Sequence, residues 1–196
     1  VWFAYPWARH TYLNKLWLSE MLGYICGPSG IPIPKTGEYI VRPIYNLDGM
    51  SRGAECKFLD IGDESTPPGY FWCEYFNGNH YSVDYIKVDD IWKSDLVVQG
   101  YKVSPQKFTK WEIVDKQFTI PKFLYDVKVP VINIEYIDNK IIEIHFRGNS
   151  DFKNHKFKTL LVQWKSEPEL ELDSTWTFIP SYEETDKDTR IGFYGK

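Results

Sequence analysis

Cysteine is scarce in this sequence: Cys26, Cys56 and Cys73 are its three thiol residues, odd in number and without a CxxC or Cys/His spacing. That excludes a disulfide-stapled scaffold and a zinc-ribbon site, and it fits reduced, mostly buried thiols. No apolar run approaches the roughly 20 residues that span a bilayer, and no secretory leader precedes the first helical pattern. The expectation is a soluble, cytoplasmic chain with no membrane partner. The sequence opens at Val1 on VWFAYPW, which leaves open a processed start or an excerpt of something longer. Positive charge is not in excess either. Lys and Arg number 23 against 27 Asp and Glu, for a net charge of −4, so the basic stripe of a nucleic-acid binder is missing. Any phosphate must therefore be held by local groups. Internal repeats and low-complexity tracts are absent.

Aromatic residues make up 17% of the 196 residues and are interspersed with Ile and Val, a composition suited to strands. The length is sufficient to bury a substantial core. The predicted class is α+β and sheet-rich. Thr11 is a candidate cap for a helix reaching about Met21, with Leu13, Leu16, Trp17 and Met21 along one face and Gly23 as its stop. The GPSGIPIP stretch over 27–34 reads as a connector. Strands are predicted over 39–45, 56–59, 70–76 and 81–86, the last two joined through Asn77-Gly78-Asn79 as a hairpin turn. A helix is predicted over 105–114, and further strands over 160–164 and 176–179, followed by an acidic segment and a closing IGFYG.

The clearest pattern is VINIEYIDNKIIEIHFR, 131–147. Ile132, Ile134 and Tyr136 alternate with Asn133 and Glu135, and Ile142, Ile144 and Phe146 alternate with Glu143, His145 and Arg147. A three-residue turn, Asp138-Asn139-Lys140, makes the oily faces coincide and sets Glu135 opposite Glu143 and Asn133 opposite His145. A two-residue turn would put the glutamates on opposite faces. Opposed carboxylates repel unless a cation lies between them, and Mg²⁺ with phosphate oxygens is a natural partner for such a pair. The plain alternative is a surface face paired with Lys140 and Arg147. Arg42, in the otherwise apolar YIVRPI, calls for an anion or a carboxylate. The loop over 46–54 carries Gly49, Ser51, Arg52 and Gly53, with backbone N–H groups suited to phosphate oxygens.

In order along the chain, Asn14-Lys15, Gly30-Ile31-Pro32-Ile33-Pro34, Ile40-Val41-Arg42-Pro43, the Gly49 to Gly53 loop, the segment from Gly69 to Asp84, and Glu135 followed by Glu143-Ile144-His145-Phe146-Arg147 resemble the ATP-grasp superfamily over roughly residues 13–152. The resemblance implies an antiparallel-sheet lid lobe packed on a sheet-rich nucleotide-binding core. Residues 1–37 would be a remnant N-terminal segment, 38–72 the lid-like lobe and 73–196 the nucleotide- and metal-binding core. It implies ATP and Mg²⁺ as cofactors, with Lys15, Arg42, Gly49, Ser51, Arg52 and Gly53 on the phosphates. Glu74 would lie near the adenine and ribose, and Glu135 and Glu143 on the metal. Arg147 would contact phosphate or an acyl phosphate. His80 stands where a ribose-contacting Glu is common, Arg42 where Lys is usual, and His145 where Asn helps hold the second metal. His145 is thus a metal ligand or a general base on the attacking amine. The implied activity is an ATP-dependent ligase joining a small-molecule carboxylate to an amine or thiol. The alternatives are a degenerate domain that binds nucleotide or a protein partner without turnover, and a β-rich binding module.

Overall fold

The computed structural model describes residues 11–47, 49–152 and 156–196. The chain divides into two units, Val1–Asn77 with Ser104–Gln106, and Gly78–Val103 with Lys107–Lys196.

The first unit opens with a 3-10 turn at Thr11–Leu13 and helix α1, Lys15–Met21. Its N-cap is Asn14 and not Thr11: the Asn14 side chain accepts the Trp17 N–H at 2.9 Å. Thr11 is also a capping residue type, but its turn closes through Asn14 N–H to Thr11 C=O and ends before the helix begins. At the C-terminal end Tyr24 N–H donates to Ser19 C=O and Gly23 N–H to Glu20 C=O, with Gly23 at φ +75°. This Schellman closure needs the left-handed residue that glycine supplies. The sheet contains β1 (Cys26–Pro28), β2 (Gly37–Pro43), β3 (Glu55–Leu59) and β4 (Tyr70–Glu74), in the order β1-β4-β2-β3. Alternation sends Tyr39, Val41, Leu59 and Trp72 to one face, where they pack on Ile33. The Trp72 indole N–H donates to Ile31 C=O at 3.0 Å, which anchors the Pro-rich connector.

The second unit holds an eight-stranded sheet: β5 (His80–Val88), β6 (Ile91–Ser104), β7 (Lys107–Ile113), β8 (Val131–Ile137), β9 (Lys140–His145), β10 (Thr159–Trp164), β11 (Thr177–Glu184) and β12 (Thr189–Gly195). The order is β11-β12-β10-β7-β6-β5-β8-β9. Val83, Ile132, Ile134, Leu160 and Trp164 are fully buried in its core. Tyr85 and Tyr136 share a hydroxyl hydrogen bond of 3.0 Å beneath the sheet.

Two further sequence expectations are corrected. The helix predicted over 105–114 is β7, in which Trp111 pairs with Leu160 of β10. Its aromatic and β-branched residues follow strand propensity, and the local spacing lost to long-range pairing. Asn77-Gly78-Asn79 is not a hairpin turn, because β4 and β5 belong to different sheets. Gly78 instead lies against Asp138, where a Cβ would fall 2.2 Å from Oδ2.

Candidate functional site

The site is best developed on the polar face of β5, β8 and β9. Glu135 pairs with Glu143 and Asn133 with His145, as the alternation predicts. The route differs from the prediction. Ile137 pairs with Lys140 and Tyr136 with Ile141, so the turn is the two residues Asp138 and Asn139, with Asp138 at φ +52°. A β-bulge then leaves Ile142 as an extra residue and restores the register at Glu135. A bulge compensates for a turn one residue shorter. On the other side of β8, Ser82 pairs with Glu135 and Asp84 with Asn133. Two polar rows therefore cross three strands.

His80 joins the same face from β5. Its Nε2 lies 3.3 Å from Glu135 Oε2, while His145 Nε2 lies 3.5 Å from Glu135 Oε1 and 3.2 Å from Glu143 Oε1. His80, Glu143 and His145 are each less than 9% exposed. The His80 ring stands edge-on to Phe108 and Trp111, with centroids at 5.0 and 5.9 Å. Burial opposes ionisation of Glu135, but the imidazoles of His145 and His80 at its two oxygens more than offset this. They hold its carboxyl well below the usual carboxylate range.

Sequence reasoning asks for a cation between the opposed glutamates; the structure puts the imidazole of His145 there. Among the described residues no group of three or more His, Cys, Asp or Glu side chains is arranged to hold a metal ion. Two of the four polar ends are imidazole nitrogens, which suit Mg²⁺ poorly. As arranged, the residues do not fit the Mg²⁺ expectation.

Asp84 was not singled out from the sequence. Its Oδ1 accepts from Asn133 Nδ2 at 2.7 Å and from the Asn149 N–H at 2.9 Å, and the same N–H lies 2.9 Å from Oδ2. Asn133 Nδ2 and Asn149 Nδ2 both donate to Ser82 Oγ, at 2.7 and 2.9 Å. Burial pushes the Asp84 carboxyl up, and the Asn149 and Asn133 donors temper the rise. Alternation along β5 was the available signal, since His80, Ser82 and Asp84 are polar residues at alternate positions, all three buried. Arg147 follows β9 and donates from Nη1 to Gly148 C=O at 2.8 Å.

The remaining predicted residues lie in the first unit. Lys15 is 5% exposed, and its Nζ donates to Asn46 Oδ1 at 2.6 Å. It therefore reaches the loop after β2. Arg42, paired with Phe71 across β2 and β4, lies over the Phe71 ring at 5.4 Å. In the glycine loop, Arg52 N–H donates to Gly49 C=O and Ala54 N–H to Ser51 C=O. Met50 and Ser51 have φ of 52° and 50°, a conformation uncommon away from glycine. A Cβ on Gly53 would fall 2.5 Å from the Tyr70 hydroxyl, so this glycine is needed for packing. Glu74 Oε1 accepts the Ile25 N–H at 3.0 Å.

Comparison with solved structures decides the fold. The chain superposes over 94% of its length on an ATP-grasp superfamily protein from Archaeoglobus fulgidus, with a TM-score of 0.53 and 12% identity. The chain has the ATP-grasp fold. A second ATP-grasp match is N5-carboxyaminoimidazole synthetase from Staphylococcus aureus complexed with ADP, over 94% of this chain, with a TM-score of 0.56 and 11% identity. The chain spans 64% and 67% of those two proteins. No protein-family model matches it, and no curated protein sequence does. No helix among its described residues is long and apolar enough to cross a membrane.

Proposed function

We propose that this chain is an ATP-dependent ligase domain that activates a carboxylate as an acyl phosphate for attack by an amine or thiol. The ATP-grasp fold, shared with a synthetase that holds ADP, carries this reading. A carboxylate is a poor electrophile. In the proposed reaction its oxygen forms a bond to the γ-phosphorus of ATP as the bond to the ADP oxygen breaks. The amine or thiol then attacks the acyl carbon, loses its proton and expels inorganic phosphate. Catalysis of this kind consists mainly of positioning and charge neutralisation. Among the site residues there is no Ser/His or Cys/His nucleophile pair, and none is needed. In the first unit, the buried Lys15 ammonium and Arg42 offer positive charge for phosphate. In the second, Glu135, Glu143 and His145 offer the polar face.

The imidazoles at Glu135 and Glu143 favour a second reading, nucleotide binding without turnover. Thermal melts with ATP, with and without Mg²⁺, test binding: ligand at a hundred times its dissociation constant stabilises by about 2.7 kcal/mol. The absence of any shift at millimolar ATP under both conditions sinks both readings. ADP release with pools of amino acids and small acids separates them, since binding without turnover gives none.

A further inference from the structure

The three cysteines lie far apart in sequence, yet the first sheet gathers them on one rung. Cys26 of β1 pairs with Cys73 of β4, Cys73 with Ile40 of β2, and Ile40 with Cys56 of β3. Directly opposed residues share a face, so all three thiols stand on the face opposite Trp72, Tyr39 and Val41. Hydrogen bonding fixes the kind of rung. Glu74 N–H donates to Ile25 C=O and Ser29 N–H to Tyr70 C=O, so the bonded pairs of β1 with β4 are the odd-numbered positions of β1. Cys26 and Cys73 form the non-hydrogen-bonded pair between them, where side chains approach most closely and Cα atoms are about 4.5 Å apart. That lies at the short end of the Cα spacing of about 4.4 to 6.8 Å that a disulfide accepts.

Gly27 makes this approach possible. A Cβ there would fall 2.6 Å from the Trp72 ring, so a larger residue would push β1 away from β4. Cys56 is excluded from the pair. Ile40 stands between it and Cys73, and two strand spacings of about 4.8 Å exceed the reach of a disulfide. The two opposed thiols also sense each other: burial and then the nearby Cys73 push the Cys26 thiol up to about 12.

We propose that Cys26 and Cys73 are an oxidation site, closing reversibly into a cross-strand disulfide that ties β1 to β4. This inference is independent of nucleotide binding. A peroxide is the oxidant. Cys26, the more exposed of the two, attacks the peroxide oxygen, becoming a sulfenic acid as the alcohol or water leaves. The Cys73 sulfur then attacks the Cys26 sulfur, and water departs with the Cys73 proton. Cys73 is 2% exposed, which does not hinder a step internal to the fold. The protonated state of Cys26 at neutral pH makes the first step slow, and the short rung makes the product readily reducible.

The test treats the full chain carrying Cys56→Ser with hydrogen peroxide, so that exposed Cys56 cannot link two copies. Mass spectrometry is expected to show a loss of about 2 Da, a linked pair of peptides containing Cys26 and Cys73, and full reversal by dithiothreitol. Adding Cys26→Ser removes the 2 Da loss. If Cys26 instead accumulates sulfinic or sulfonic acid while Cys73 remains open to alkylation after denaturation, or if neither thiol reacts, the proposal is overturned. Because the mapping is done without altering either thiol, it does not depend on whether a Cys73 variant folds.

Discussion

Replacing His145 with Asn tests the claim that an imidazole takes the place of a cation. In the native arrangement His145 Nε2 sits 3.2 Å from Glu143 Oε1 and 3.5 Å from Glu135 Oε1, at 6% exposure. Both contacts lie within hydrogen-bond distance, the shorter one to Glu143, and a bond to a charged group contributes about 1.5 to 3 kcal/mol. Glu135 keeps 25% of its side chain exposed, so its share is screened. The variant is therefore expected to lose about 2 kcal/mol without metal, or about 4 to 8 °C in melting temperature for a chain of this size. It also leaves two opposed carboxylates beside an amide oxygen, a donor set that suits Mg²⁺. Mg²⁺ at ten times its dissociation constant then restores about 1.4 kcal/mol. The assay is a thermal melt in EDTA and in MgCl₂ at matched ionic strength, with wild type beside the variant. The reasoning fails if the variant melts with wild type in EDTA, or if Mg²⁺ stabilises both equally. Under the ligase reading its ADP release stays equal to wild type or rises.

Glu143→Gln keeps the shape of the opposed pair and removes one charge. If the domain turns over and Glu143 takes part in the reaction, ADP release falls at least about a hundredfold, and an unchanged rate removes Glu143 from the reaction. A separate prediction concerns acid stability. Burial opposes ionisation of Asp188, but the Ser166 hydroxyl, the Lys107 ammonium and the Thr189 N–H outweigh it and hold the carboxyl at about 2. A depressed folded pKa stabilises above the unfolded value of 3.8, and that contribution is lost as pH falls towards about 2. With solvent screening the contribution is about 1 kcal/mol. Urea midpoints for wild type and Asp188→Asn should converge between about pH 4 and 2; a constant gap rules the linkage out.

The β8–β9 hairpin was legible because its two faces differ so sharply: Ile132, Ile134 and Ile144 on one, Glu135, Glu143 and His145 on the other. The bulge at Ile142 was not, since a three-residue turn predicts the same opposition and periodicity alone does not distinguish the two. Lys15 is a candidate through the resemblance alone, and nothing around it in the sequence marks it as buried. Its burial depends on Asn46, which only the fold brings to it. Asn77-Gly78-Asn79 carries a hairpin signature, but turn chemistry does not specify which strands pair, and β5 found β6 and β8. The cysteine rung was equally hidden. β1 is three residues long, and its Gly and Pro mask it as connector.

The bulge at Ile142 also sets how this hairpin tolerates changes in length. What must be preserved between Glu135 and Glu143 is parity, because one residue more or fewer in a plain ladder turns every later side chain over. Ile142 is a spare residue within that count. Deleting it joins Ile141 directly to Glu143 and gives an unbulged ladder in which Glu143 still faces Glu135 and His145 still faces Asn133. Adding one residue to the turn while losing Ile142 leaves the count between the two glutamates unchanged and gives a three-residue turn whose plain ladder also sets Glu143 opposite Glu135. The hairpin can therefore shed its spare residue in mid-strand, or carry it in the turn, and keep its polar face.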